Sequence, residues 1–400
     1  MELFLQFGYG MMSLTKDLIE SWGGGKVILS PRDLTLNQMS NFTQEISVNN
    51  GKVAIDPQFY IPQADHGRLI AHSFWPQDYQ TALFRRGEIQ SMLRILKTDY
   101  NDPLQSDFFI LPGLMSTTVN EDWYQYNNII VEEALNLIQD KDVFFTVCLS
   151  KEAMLDEATI YQIIEYLDTW DISGCYVVAQ PPANEYLVTD PNWLVNLMDL
   201  TAGIKQQNKK VIVGYSNHQM IQLALSKIDG LASGNWLNVR SFNTNRFNNP
   251  EDGASRRSTW YYCPQALSEY QISFLDIANR IGMLQELRTN EIFGSTYSDI
   301  IFNSGAQPTT VNYTSRHSFQ HYLTCLKFQL ENSVKETYPL TLESVKMQLE
   351  TARMLTETYT TRGIRGRDRD FANVVDYNIS AVAVFDNLRG LIQNNTWNLF

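Results

Sequence analysis

Apolar positions in this chain follow two rhythms. From residue 1 to about residue 262, short apolar runs alternate with longer stretches in which apolar residues recur at i, i+3 and i+4, the signatures of strand and amphipathic helix respectively. The clearest instance is residues 211–240. Val211, Ile212 and Val213 form a β-branched run, Gly214 to Asn217 break it, and Met220, Ile221, Leu223 and Ala224 return at helical spacing. Leu231 and Ala232 resume an apolar run, followed by Gly234, Asn235 and Asn238. Strand, helix, strand in that order predicts two parallel strands joined by a right-handed crossover.

The same alternation places strands at 3–7, 27–29, 53–55, 108–111, 143–147 and 174–179, with helices at 14–22, 35–48, 88–97, 122–139, 152–168 and 192–206. Together with the 211–240 unit this makes eight strands, the rhythm and length of a closed (β/α)8 TIM-like barrel. An open doubly wound sheet normally needs fewer. The connection from Phe59 to about Arg86 is too long for a linker and is expected to fold over the top of the sheet. After Pro264 no further strand is predicted. Residues 265–288, 316–333, 341–360 and 371–392 read as helices. The fold class is therefore α/β, a barrel over residues 1–262 followed by a helical region over 263–400.

Composition narrows the function classes. Hydrophobic residues make up 44% and charged residues 19% of the chain, which gives ample core and excludes long disorder. A net charge of −13 disfavours a sequence-blind nucleic-acid binder. It leaves room for a local basic site, and Arg362, Arg365, Arg367 and Arg369 form the one basic cluster of note. The start of the chain has no basic flank and no small-residue cleavage site, and no run of about 18 apolar residues occurs, so a cytoplasmic protein without a membrane span is expected. Cys148, Cys175, Cys263 and Cys325 are too far apart for a C-x-x-C pair and read as buried thiols in a reducing compartment.

Ligands in parallel barrels bind at the carboxyl ends of the strands, so candidate chemistry is sought there. Asp56 ends the third strand with the parity of Ala54, which points it into the barrel mouth as a general base or nucleophile, with Gln58 close by. The competing role is a turn cap before Pro57. After the seventh strand, Gly214 permits close approach of a ligand, and Ser216 and Asn217 open a helix whose amides favour an anion. Tyr9, Arg32, Asn235, Asn238 and Arg240 complete the expected ligand set. Gly214-Tyr-Ser216-Asn-His218 also reads as a nucleophile elbow whose last glycine is replaced by His. His66 with His72, and His317 with His321, lack a third ligand, so no metal is assigned, and the absence of a Walker or dinucleotide glycine motif leaves no cofactor assigned.

The segment Gly214-Tyr-Ser-Asn-His-Gln-Met-Ile-Gln-Leu-Ala-Leu, continued by Asp229 to Arg240, resembles the last two barrel strands of the tRNA-guanine transglycosylase family. The resemblance implies the barrel, and a role for Asp56 as the early-strand Asp that recognises or activates a base. It departs at the eighth strand, where Gly234-Asn235-Trp236 stands in place of the family's nucleophilic Asp, and the cysteine-rich zinc motif is missing. The expected function is binding of a small phosphate-bearing, nucleotide-like ligand at the C-terminal face, with glycosyl transfer or hydrolysis through Asp56. The alternative is a non-catalytic barrel whose helical region binds a protein, or nucleic acid, which the net charge disfavours.

Overall fold

The computed structural model describes residues 1–79, 85–249 and 258–399. At its centre lie β1 (Glu2–Gln6), β2 (Gly25–Leu29), β3 (Gly51–Ile55), β4 (Phe109–Ile110), the short β5 (Met115–Ser116), β6 (Val143–Leu149), β7 (Gly174–Ala179), β8 (Lys210–Val213) and β9 (Gly230–Ser233). Their order is β3-β2-β1-β9-β8-β7-β6-β4, with β5 paired to β6. Every one of these pairings is parallel. The two ends of that path meet where the Asp107 N–H donates to the Val53 carbonyl at 2.8 Å and the Met115 N–H to the Tyr60 carbonyl at 2.8 Å. The sheet thus closes into the predicted (β/α)8 barrel.

Around it run α1 (Met11–Trp22), α2 (Leu36–Ser47), α3 (Arg86–Ile95), α4 (Glu121–Leu137), α5 (Lys151–Leu155), α6 (Glu157–Asp168) and α7 (Pro191–Gln206). Local chemistry fixes where they begin. Thr35 and Gln38 form a reciprocal capping box at α2, and Asp190 caps α7 just before Pro191, supplying acceptors for otherwise orphaned N–H groups.

Inside the barrel, large side chains face small ones across the strands. Gln6 in β1 accepts a hydrogen bond from Tyr176 in β7 at 2.8 Å. Two strands lie between β1 and β7 in the sheet order, so the bond crosses the interior. A Cβ at Gly214 would stand 2.3 Å from the Tyr176 hydroxyl, and one at Gly230 would stand 2.4 Å from the Phe4 ring. These two glycines make room for interior rings.

Two expectations need correction. A strand does return after Pro264: β10 (Trp260–Cys263) and β11 (Ser268–Gln271) form an antiparallel hairpin. Pro264 starts a tight turn and Leu267 reverses the chain at φ 48°, while the continuous apolar run of Tyr261 to Cys263 hid the alternation that marks a half-buried strand. The helix predicted over 265–288 accordingly shrinks to α8 (Ile272–Arg280). Second, the β8-to-β9 crossover is a 3-10 helix, His218–Ser226, with every residue buried, and Lys227 in the left-handed region ends it.

The remaining helices are α9 (Asp299–Asn303), α10 (Ser315–Glu331), α11 (Tyr338–Thr361) and α12 (Val375–Thr396). Buried residues of α10, α11 and α12 share one core with the barrel, whereas Tyr261, Tyr270, Leu275, Leu287 and Tyr359 belong to a separate, smaller core. The hairpin straddles residue 262 and presents one side to each. No helix among the described residues is long and apolar enough to cross a membrane.

Candidate ligand site at the C-terminal face of the barrel

Asp56 lies fully buried just past β3. Its Oδ1 accepts the Gln58 N–H at 2.9 Å, and its Oδ2 accepts the hydroxyls of Tyr60 at 2.7 Å and Tyr215 at 2.9 Å. Burial pushes its carboxyl up to about 6, against the opposing pull of those three donors and of the Arg246 charge. Gln58 sits in the left-handed region at φ 56° and ties the network together. Its amide nitrogen donates to Tyr215 at 3.0 Å, and its carbonyl accepts from Ser30 at 3.0 Å and the Arg32 N–H at 2.9 Å.

Aromatic side chains plug the mouth above this network. Tyr60 packs on Phe242 and Phe247 with ring centroids 5.2 and 5.3 Å apart, and Tyr215 packs on Phe242 at 5.3 Å. Arg246 lies 5.1 Å over the Tyr215 ring and pairs with Asp33 at 3.0 Å. Arg32 pairs with the other oxygen of Asp33 at 2.6 Å. Beside Tyr215 a cavity of ≈ 20 Å³ remains, lined by Gly214, Asn217, Trp193 and Arg240 among others, room for about one water.

The turns after β8 and β9 are engaged in the same way. Ser216 donates to the Val213 and Gly214 carbonyls, both at 3.2 Å. Asn217 accepts from Gln219 N–H at 2.9 Å and donates to the Tyr186 carbonyl at 2.7 Å. The His218 N–H donates to Tyr322 at 3.2 Å. No histidine among the described residues hydrogen-bonds Ser216, and burial lowers His218 to about 4. Arg240 is buried and donates to the Gly234 carbonyl at 2.8 Å, with its guanidinium 3.4 Å over the Tyr322 ring.

Arg240 leads to a buried ion triad. Glu269 of the hairpin takes Arg240 at 3.2 Å and Arg369 at 3.0 Å on one oxygen, and the Tyr186 hydroxyl at 2.7 Å on the other. Burial alone would raise this carboxyl, but the Arg369 and Arg240 charges hold it at about 2. Two guanidiniums to one carboxylate leave positive charge in excess.

That excess borders the open part of the face. A cleft of ≈ 600 Å³ is lined by Tyr9, Trp236, Asn238, Trp260, Arg367 and Arg369, with Leu237, Ser258, Gln271 and Asp368 completing it. Tyr9 is 68% exposed, and its carbonyl accepts from Asn235 at 2.8 Å and the Trp236 indole at 3.1 Å. The Arg369 guanidinium stacks 4.0 Å over the Trp260 ring.

The structure therefore distributes the expected site residues over two places. Asp56, Gln58, Arg32, Gly214, Ser216, Asn217 and Arg240 belong to the closed mouth or its rim, whereas Tyr9 and Asn238 line the open cleft and the buried Asn235 supports it through the Tyr9 carbonyl. Trp236, Trp260, Glu269, Asp33 and Tyr215 were not singled out from sequence. Asp33 and Trp236 do stand in the loops that follow β2 and β9, which is the signal that could have found them. Glu269 and Trp260 lie in the hairpin that the pattern missed.

The remaining chemistry is committed elsewhere. His72 is held between Tyr100 and the carbonyls of Pro31 and Leu34, all at 3.0 Å, and His321 faces the Tyr262 carbonyl and Ser295, both at 2.7 Å. No group of His, Cys, Asp and Glu among the described residues is arranged to hold a metal ion. All four cysteines are buried and free. Arg246 is buried, and residues 250–257, which follow it in a polar stretch of the sequence, lie outside the described residues.

No protein-family model matches the chain, and no curated protein matches it. Among solved structures, GH10 from Paenibacillus barcinonensis is 10% identical, covering 59% of this chain and 86% of that one, with a TM-score of 0.35. A GH18 chitinase from Pseudoalteromonas aurantia is 12% identical over 59% of this chain and 94% of that one, TM-score 0.35. Xylanase 10B from Thermotoga maritima is 10% identical over 58% and 82%, TM-score 0.33. Likeness of this order carries no argument about function, and the barrel rests on its own strand order. Of the resemblance read from residues 214–240, the barrel is supported; membership of the transglycosylase family gains no support from these comparisons.

Proposed function

We propose that this chain binds an anionic ligand bearing a flat ring, of the nucleotide kind, in the open cleft at the C-terminal face of the barrel. One observation carries the reading: Tyr9, Trp236 and Trp260 line the same cleft as Arg367 and Arg369. Aromatic faces take a planar ring by stacking, and guanidiniums take a phosphate by charge-assisted hydrogen bonds. The cleft volume falls in the ordinary range for small-ligand sites, roughly 300–1,000 Å³. We assign the anion to the arginines in preference to the Ser216–Asn217 turn, whose polar groups are already engaged. Calorimetric titration with nucleoside 5′-monophosphates and with the parent nucleosides tests this. The monophosphate should bind at least about tenfold more tightly, and Arg367→Ala should remove most of that advantage. Equal affinity for both, or an Arg367→Ala variant that binds like the parent, contradicts the reading.

A second reading keeps Asp56 as an acid–base or nucleophilic group in glycosyl transfer or hydrolysis. Its support is a carboxyl near 6 at the barrel mouth, close to the pH at which proton transfer is most effective. It requires the plug of Tyr60, Phe242 and Phe247 to open. Release of free base from a nucleoside monophosphate, followed by chromatography, should then slow about a hundredfold or more in Asp56→Asn. Unchanged turnover in that variant removes the catalytic role. The non-catalytic alternative, with a protein partner on the helical region, draws on Tyr377, Val384, Leu388 and Leu391, which are exposed along α12.

A further inference from the structure

The segment Arg362-Gly-Ile-Arg365-Gly-Arg367-Asp-Arg369 leaves the end of α11 and enters the cleft. Arg362, Arg365 and Arg367 are exposed, and among the described residues none of the three forms an ion pair. The bland account, that surface arginines are held by neighbouring carboxylates, therefore fails for these three, although Asp368 stands in the same run. Arg369 differs, being tied to Glu269 and stacked on Trp260.

The segment also has a fixed shape. The Asp370 carboxylate accepts the N–H groups of Gly366 at 2.7 Å and Ala372 at 3.1 Å, and Ser268 of the hairpin accepts the Phe371 N–H at 2.9 Å. A Cβ at Gly366 would stand 2.7 Å from the Glu269 carbonyl, so the segment lies flat on the hairpin. Arg367 is held at φ 55°, a left-handed conformation that costs a non-glycine residue roughly 1–2 kcal/mol. Arg367 lies 5.6 Å over the Phe274 ring, which leaves its guanidinium N–H groups free of any carboxylate among the described residues, and a run of such cations held in one shape beside an aromatic cleft is a preformed track for a phosphate backbone.

Building on the cleft reading, we infer that the ligand is a single-stranded oligonucleotide, with a terminal or unpaired base in the aromatic cleft and its phosphates running along Arg367, Arg365 and Arg362. A chain spans at most about 3.3–3.6 Å per residue, so the track from Arg367 to Arg362 is a few phosphates long and no more. The overall charge of −13 then acts as discrimination, repelling nucleic acid everywhere but on this strip.

Fluorescence anisotropy with labelled ten-nucleotide strands, one deoxyribose and one ribose, tests the inference beside the corresponding mononucleotide and a duplex of the same sequence. At least one single strand should bind about tenfold or more tighter than the mononucleotide and the duplex, and the tighter of the two identifies the sugar. Arg362→Ala/Arg365→Ala alters two exposed side chains outside the cleft lining. It should leave mononucleotide affinity unchanged while lowering the log–log salt slope for the strand by about 1.4. Between 50 and 200 mM salt that difference amounts to about sevenfold in affinity. If strand and mononucleotide bind equally, or the double variant keeps the parent's slope, the strand inference fails and the cleft reading stands. Equal binding of the duplex also overturns it, because paired bases cannot enter the cleft. If neither strand nor mononucleotide binds, the cleft reading fails and this inference with it.

Discussion

Asp56→Asn should change the pH dependence of stability more than stability itself. In the unfolded chain the carboxyl titrates at its ordinary 3.8, whereas in the fold it titrates at about 6. The folded state holds the proton more tightly, so the stability this group contributes is complete below 3.8 and is lost as pH rises through about 6. A gap of that size corresponds to about 3 kcal/mol in total, of which about 2 kcal/mol disappears between pH 4 and pH 7. Asn has nearly the same shape, keeps an acceptor for the Gln58 N–H and does not titrate. Subtracting its unfolding free energy from that of the parent at each pH cancels every other titrating group. Urea denaturation at fixed temperature from pH 4 to pH 8 should give a parent-minus-variant difference that falls by about 2 kcal/mol, half of it by about pH 5, and levels off above about pH 6. A flat difference refutes the claim that burial dominates at Asp56. A difference that rises with pH shows instead that the tyrosine hydrogen bonds and Arg246 outweigh desolvation.

Gly214→Ala should cost about 1–3 kcal/mol through overpacking, because its Cβ meets the buried Tyr176 hydroxyl; combining it with Tyr176→Phe should recover part of the loss in thermal melts, and a variant that melts like the parent contradicts the interior packing. Glu269→Gln leaves Arg240 buried beside a neutral partner, so a loss of about 3–5 kcal/mol is expected. That loss should be complete above the ordinary carboxylate value of 4.5 and shrink as pH falls towards about 2; an equal loss at pH 7 and pH 2.5 removes the ion triad as its cause.

Most of the barrel was legible because parallel strands buried on both faces write themselves as apolar runs, and each was followed by a helix-period stretch. What failed did so for physical reasons. Trp260 to Cys263 is buried nearly throughout, so its alternation is invisible, and the hairpin partner Ser268–Gln271 is polar enough to pass for the start of a helix. The His218–Ser226 crossover has apolar residues at helical spacing, yet a span so short and so enclosed closes as a 3-10 helix. At the site, strand-end position predicted which loops matter but not whether they stand open. Asp56 looked like a group awaiting substrate, and only the placement of Tyr60, Tyr215 and Phe242, distant in sequence, shows it under a plug. Conversely, Arg367 and Arg369 were visible as a basic run, but their meeting with Tyr9 and Trp236 depends on the hairpin that folds the carboxyl-terminal region over the barrel.

The most direct test is a crystal structure of the protein grown with a nucleoside 5′-monophosphate. The account predicts density in the cleft, with the ring against Trp236 or Trp260 and the phosphate within hydrogen-bonding distance of Arg367 or Arg369. Density at the Ser216–Asn217 turn with the aromatic plug displaced, or a cleft that stays empty at saturating ligand, contradicts it.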